Sequence, residues 1–374
     1  MSNDRRILIV GGGIAGLTLA AALAKRGLSH EIVERSATWP TVGAGIAVQP
    51  NGVRIFEHLG LSDALIDAGI RIGRWRFCDQ HGQVLCETDL DDVWAGVGPF
   101  IGVARRALHQ VLLHSITSVP RRLGVSVTAV ACARHTVIVQ FSDGSEGTYD
   151  LVIGCDGLHS TVRSFVDDVP LVDGGQMVWR SLSPIRPLGV NAVQFVLGDD
   201  SFFGLCPVGD GGTYGFANVT QTRVRDPEEG RLSRLRQRFA SYGDVVQEYL
   251  ASLTTDEQIH CSPIEWLARP CWGNGRVLLI GDAAHASSPM LGQGGCLAME
   301  DAHVLAEILE TARDWSLVLG AFAGRRTPRV NWVRDQSLAA GDAFGRPSHL
   351  RNAVLRERGD GILRSRYEPL LEEP

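Results

Sequence analysis

Lysine is almost missing from this chain: of its 36 basic residues only Lys25 is a lysine. It falls in the last turn of an expected helix, where a cation suits the macrodipole. A phosphate-loop lysine or a Schiff-base lysine would have to be Lys25 itself, and its surroundings fit neither role. C-x-x-C pairs are missing too. The eight cysteines (Cys78, Cys86, Cys132, Cys155, Cys206, Cys261, Cys271 and Cys296) lie far apart without zinc-like spacing, which disfavours metal and disulfide scaffolds. They read as reduced thiols of a cytoplasmic protein. No block of five or more basic residues occurs, and the formal net charge of −6 opposes condensation onto a phosphate backbone, so nucleic acid is not an expected partner. No segment has the length of a membrane span. Arg5-Arg6 and the uncharged run from Ile7 to Ala24 imitate a secretory signal, but three consecutive glycines split that run into a strand and a helix.

What is present is ample material for a core. Apolar residues make up 44% and charged residues 21%, ordinary for a globular protein. At 374 residues the chain exceeds the size at which one core stops growing, so two closely packed domains are expected. Ile7–Val10 reads as a strand, Gly11–Gly16 as a glycine turn, Leu17–Arg26 as a helix stopped by Gly27, and Glu31–Val33 as a second strand ending at Glu34: a βαβ unit. A mobile stretch from Pro40 to Gly52 and a helix from Val53 to Leu59 follow. Trp75–Glu87 suggests a hairpin, Arg105–Ile116 a helix, and Val125–Val130, Thr136–Phe141 and Thr148–Ile153 strands. From Met177 to Val219 glycine, proline and aspartate separate β-rich stretches, which reads as an antiparallel sheet. Leu232–Leu253 reads as one or two helices, Arg276–Ile280 as a buried strand, and Gly295–Thr311 and Trp315–Phe344 as helical. The expected architecture is an α/β, Rossmann-like domain interrupted by an antiparallel insert.

Three motifs follow strands. Gly11-Gly12-Gly13-Ile14-Ala15-Gly16 fits G-x-G-x-x-G between a strand and a helix, with Glu34 about twenty residues on. Gly11 permits the tight turn, Gly13 lets the backbone approach a pyrophosphate, Gly16 allows close packing, and Glu34 suits ribose hydroxyls. The motif does not separate FAD from NAD. Gly154-Cys155-Asp156-Gly157 runs on to Arg163, and Gly281-Asp282 runs on through His285, Pro289 and Gly292-Gln293-Gly294-Gly295; each sets a carboxylate at the carboxyl end of a strand.

In this order the three motifs resemble the class A FAD-dependent monooxygenases of the aromatic-ring hydroxylase type. The stretch from Gly292 to Cys296, continued by Met299-Glu300-Asp301-Ala302, is similar to the urate hydroxylase and zeaxanthin epoxidase branch. The resemblance covers most of the chain and is weakest between about Asp167 and Pro270. It implies a para-hydroxybenzoate hydroxylase-type fold with an inserted substrate sheet and C-terminal helices. Residues 1–70, 101–169 and 267–330 would form the FAD-binding domain, 71–100 and 170–266 the substrate domain, and 331–374 a helical segment. It also implies that Asp282 binds the ribityl chain and that the amides from Leu291 to Gly295, through Gly292 and Gly294, face the flavin pyrimidine, where a helix N-terminus favours an anionic reduced ring. Gly11, Gly13, Ala15, Gly16, Glu34 and Arg35 would hold the dinucleotide, Val42-Gly43-Ala44-Gly45-Ile46 would flank the flavin, Arg105 would contact FAD and Val130 the adenine. Asp156 and Arg163 would serve both FAD and NAD(P)H.

The activity so implied is NAD(P)H-driven insertion of one oxygen atom, through a C4a-hydroperoxyflavin, into a small aromatic, heteroaromatic or polyunsaturated substrate, by a monomer or homodimer. Met290 stands where the urate branch has an acidic residue, and the Phe202-Phe203 tract lacks an arginine to grip a purine anion, so a neutral planar substrate fits better than urate. Four residues are candidates for chemistry, each with a plainer reading. Pro289 closes the ring pocket or is a turn proline. His285 is a base or, more commonly, a hydrogen-bonded structural residue. Arg180 orients a substrate carboxylate or enolate, or is an exposed sheet arginine. Tyr214 relays a hydrogen bond or packs in the core, and Phe203 and Phe216 read as core. A dehydrogenase or reductase on the same frame, or a flavin redox sensor, are the rival functions.

Overall fold

The computed structural model describes residues 5–39, 44–220 and 226–374. Its centre is a six-stranded sheet in the order Gly273–Asn274, Val277–Leu279, Leu151–Gly154, Ile7–Val10, His30–Glu34, Arg121–Leu123. Ile7–Val10 is buried at all four positions, because it pairs in parallel with His30–Glu34 on one side and Leu151–Gly154 on the other and is covered on both faces. The helix Ile14–Lys25 buries ten consecutive residues from Ile14 to Leu23 against this sheet and the helix Gly294–Thr311. Each large aliphatic side chain so removed from water contributes about 1.5–3 kcal/mol. The α/β architecture expected from the glycine motif is present.

Beside it stands a seven-stranded sheet in the order Ile259–Leu267, Leu171–Ser183, Thr213–Thr220, Ser201–Pro207, Val193–Leu197, Arg74–Asp79, Val84–Asp89. It is antiparallel with one exception. Val193–Leu197 runs parallel to Arg74–Asp79, in the register Phe195↔Phe77, which corrects the expectation of a purely antiparallel insert. These two strands come from stretches distant in sequence, so no hairpin forces them to oppose.

Sheet periodicity sorts this region. On one face Met177, Trp179, Val196, Phe203, Leu205, Ala217 and Val219 pack with Phe239 and Tyr249 in one core. The intervening residues point the other way, toward the first domain. The expected mobile stretch is largely ordered: Pro40 to Gly43 lie outside the described residues, but Gly45–Val48 pairs with Ile101–Ala104, and the helix Pro50–Leu59 begins three residues earlier than expected, with Pro50 in the first turn. Leu232–Leu253 resolves into helices Arg231–Arg238 and Asp244–Ser252. At the C-terminal side, helices Val318–Phe344 and Ser348–Tyr367 pack against the seven-stranded sheet. No helix among the described residues is long and apolar enough to cross a membrane.

Candidate active site

The glycine turn opens one side of a cavity of about 860 Å³ lined by Gly11, Gly13, Glu34, Arg35, Arg105, His109, Asp156 and Arg180. Gly11 has φ +108°, and a Cβ on Gly16 would lie 2.0 Å from the Gly11 carbonyl, so the first helix meets its strand as only glycine permits. Gly13 caps that helix with no side-chain hydrogen bond and no acidic residue in the first turn, which leaves its amides available to an anion. A Cβ on Gly13 would meet nothing within 4 Å. The Glu34 carboxylate accepts from the Gly12 and Ser36 amides, each at 2.8 Å, and so fixes the acidic end of the second strand beside the turn. Size, an uncapped helix end and a fixed carboxylate fit an adenine dinucleotide such as FAD.

Asp156 also lines this cavity, but its oxygens are engaged locally, by the Ser160 hydroxyl at 2.5 Å and the amides of Thr161 at 2.7 Å and Val162 at 3.1 Å. Arg163 lies outside the lining. It is buried and donates to the Ala283 carbonyl at 3.0 Å and the Leu158 carbonyl at 2.7 Å, tying the second motif to the third. Val130 lies outside it as well, paired with Val139 and packed against a core, while Val125, Ser126 and Val127 line the cavity. Ala15 is buried under the turn.

The third motif forms a loop held from beneath. The Leu291 carbonyl accepts from Gln49 Nε2 at 2.7 Å and from the Tyr367 hydroxyl at 3.1 Å, and Gln293 donates to Gln49 and Asn51. Asn51 in turn donates to Glu300, which pairs with Arg326 and Arg329. The loop leads into the helix Gly294–Thr311, with Gly294 and Gly295 in its first turn, and exposed Asp282 lies with a carboxylate oxygen 3.8 Å from where a Cβ on Gly294 would be.

Above this loop is a second, apolar cavity of about 170 Å³, lined by Gly45, Gln49, Trp75, Phe195, Phe202, Tyr214, Phe216, Pro289 and Gly292, among others. Among the described residues Arg180 is the one that lines both cavities. It is half-buried rather than exposed, donating to Ser262 Oγ at 3.1 Å. Burial pushes the Tyr214 phenol up from its ordinary value, against the pull of nearby Arg180, so it is a neutral donor at physiological pH. Burial and then Arg180 lower His260, which faces the larger cavity.

His285 takes the plainer of its two readings, and Phe216 departs from its own. His285 lines neither cavity; it is buried against Asp301, at 2.5 Å, in the company of Arg326, and is a structural partner. Burial alone would raise the Asp301 carboxyl, but His285 and Arg326 outweigh it and hold it at about 2. Phe216, read as core, lines the apolar cavity, whereas Phe203 is core. The sequence alone places Phe202 beside the substrate, within the Phe202-Phe203 tract, but does not mark Trp75, Phe195, Asn218 and Gln49 as site residues. Strand alternation carries the signal for four of them: Phe202 opposite Phe203, Phe195 opposite Val196, Asn218 between Ala217 and Val219, and Trp75 before Arg76. Val42 and Gly43 lie outside the described residues.

A family model described as an FAD binding domain matches residues 4–331. The chain is 34% identical over 370 residues to the 3-amino-4-hydroxybenzoate 2-monooxygenase PtmB3 of Streptomyces platensis, covering 93% of this chain and 90% of that one. It is 31% identical over 389 residues to an FAD-dependent urate hydroxylase of Klebsiella pneumoniae, covering 99% of each. The structure of Klebsiella pneumoniae HpxO complexed with FAD and uric acid superposes with a TM-score of 0.92 at 26% identity, over 100% of this chain and 98% of that one.

Proposed function

The chain belongs to the family of FAD-dependent monooxygenases of the aromatic-ring hydroxylase type, and from that premise we propose that it uses NAD(P)H to hydroxylate a neutral, planar aromatic or heteroaromatic substrate bound in the 170 Å³ cavity. The observation that carries this reading is the pair of cavities meeting at Arg180, one walled by the glycine turn and the other by aromatic rings. When bound, FAD takes up hydride from the nicotinamide and activates molecular oxygen for transfer to carbon.

The protein's own part is to bind, orient and keep dry. Gly11, Gly13, Glu34, Arg35, Arg105 and Asp156 line the chamber that would hold the dinucleotide, with buried Ala15 and Gly16 seating the helix beneath the turn and Arg163 bracing Asp156's loop from below. Gly45, Asp282, Leu291, Gly292, Gly294 and Gly295 surround the ring end. The helix N-terminus at Gly294 favours negative charge there. Trp75, Phe195, Phe202, Phe216 and Pro289 exclude water, which would otherwise divert the oxidising equivalent to hydrogen peroxide. Tyr214, neutral, donates a hydrogen bond to a substrate oxygen, and Arg180 stabilises negative charge that develops on it.

We assign residues 1–70, 101–169 and 267–330 to the FAD-binding unit, 71–100 and 170–266 to the substrate unit, and 331–374 to the helical cover. A cytoplasmic setting is part of the proposal, supported by eight free cysteines, as is a monomer or homodimer. Urate is disfavoured: Met290 and Phe202 offer its anion no charge, which leaves Arg180 as the one cation among the described residues of the lining. The test is to load the protein with FAD and screen phenols, aminobenzoates and quinolones for stimulated NADH or NADPH oxidation, with labelled oxygen recovered in product. Stimulated oxidation with labelled product supports the reading; turnover without oxygen incorporation gives the dehydrogenase instead.

A further inference from the structure

The apolar cavity holds a ring and little more. At about 170 Å³ it is close to the roughly 150 Å³ of an engineered apolar cavity that admits benzene. A larger substrate must send its remainder elsewhere, and one continuation is built into the fold. A groove of about 390 Å³ lies between the helices Val318–Phe344 and Ser348–Tyr367, lined by Phe77, Phe344, Leu350, Val354, Ile362 and Leu363 among others. Between cavity and groove is a neck of about 10 Å³. Phe202, Asn218 and Met290 line both the neck and the ring cavity; Phe344 and Arg351 line both the neck and the groove. The three spaces thus adjoin one another through shared walls, and the neck also carries the polar Gln176, Asp200 and Ser201.

Phe344 stands in the partition together with Leu197, Met290 and Arg351. Phe344 packs on Phe202 at 5.3 Å and Phe195 at 6.0 Å on the cavity side, and on Phe77 at 6.1 Å on the groove side. It is the last residue of its helix, and the neck residues flanking it, Gly341 and Gly345, carry no side chain. At the rim Leu350 and Val354 are 55% and 41% exposed, apolar surface that no part of the described chain covers.

We propose that this groove receives a hydrocarbon tail, alkyl or isoprenoid, borne by the aromatic substrate, with Phe344 as the gate that swings aside to let the tail pass. This rests on the reading of the apolar cavity as the ring site and adds a substrate class to it: ring inside, tail between the C-terminal helices. Length specificity then belongs to Phe344, Leu350 and Val354, away from the oxygen chemistry.

The experiment uses the FAD-loaded protein and a series of 4-alkylphenols from methyl to nonyl, with dissociation constants read from perturbation of the flavin spectrum. Affinity is expected to rise about threefold to fourfold per methylene beyond the shortest members, the increment for burying one CH₂. The double variant Leu350→Arg/Val354→Arg, altered only at exposed positions, is expected to lose that rise for long members and keep the affinity for 4-methylphenol. Phe344→Trp should narrow the neck and weaken the long members selectively. Affinity independent of chain length, or a rise untouched by the double variant, overturns the proposal while leaving the ring site standing. A dansylamide carrying an undecyl chain separates the two readings: if its fluorescence rises with the parent and not with the double variant while no phenol perturbs the flavin, the tail groove stands and the aromatic ring site falls.

Discussion

His285 Nε2 and Asp301 Oδ2 meet at 2.5 Å with side chains 1% and 0% exposed, beneath the loop that carries the third motif. Asp301 also accepts the Gly281 amide at 2.9 Å and pairs with Arg326 Nε at 2.7 Å, so one carboxylate ties a strand end, a short helix and the helix Val318–Phe344 together. His285→Ala should cost about 3 kcal/mol or more, because it breaks a buried pair. His285→Gln, which can still donate, should recover most of the loss. Urea unfolding measures both; turnover per bound flavin within a few fold of the parent in His285→Gln confirms that the ring is a brace and not a base.

Asp301 also sets an acid limit. Its carboxyl is held at about 2, below the ordinary value near 3.8. A depressed acid contributes stability that is fully present above the unfolded value and is lost as pH falls through the folded one, here from about 4 toward 2. The contribution is on the order of 2 kcal/mol. Urea midpoints measured between pH 5 and pH 3 should fall for the parent and fall less steeply for Asp301→Asn.

Glu34 holds the turn amide of Gly12 and the amide of Ser36, each at 2.8 Å. Glu34→Ala should therefore weaken FAD binding by about tenfold or more, in line with about 1.5–3 kcal/mol for hydrogen bonds to a charged group. Flavin fluorescence titration of the apoprotein reads this directly. An unchanged dissociation constant would remove Glu34 from the cradle.

Tyr214 and Arg180 give a prediction with an internal control. Because burial raises the Tyr214 phenol above its ordinary value near 10, oxygen-insertion rates should show no Tyr214 limb below that pH. Tyr214→Phe should lower kcat about tenfold with the profile otherwise unmoved. Arg180→Ala should raise peroxide release relative to product, since both cavities lose a wall. Unchanged substrate affinity and unchanged coupling in Arg180→Ala would take it out of the site.

The first βαβ unit was legible because its signals are local: a four-residue apolar run, a glycine turn and a stopped helix all lie within 27 residues of sequence. The seven-stranded sheet was legible as β structure but not in direction, since the pairing of Val193–Leu197 with Arg74–Asp79 spans more than a hundred residues. The cofactor side of the site followed from motifs with fixed spacing. The apolar cavity did not, because which face of a strand looks inward depends on register, and Phe202 and Phe203 are indistinguishable until Gly204↔Phe216 and its neighbours fix that register. Arg163 and Val130 stand outside the cavity lining for a related reason. A conspicuous arginine and a valine at the expected separation say nothing about which carbonyl or which core will claim them.

Arg180 touches two chambers at once, and that has a thermodynamic corollary. If a ligand in the ring chamber draws the guanidinium toward itself, the wall of the dinucleotide chamber changes by the same movement, and whatever factor this imposes on the dinucleotide's affinity must be returned in equal measure to the ring ligand. The two occupants would then sense each other through a single shared cation.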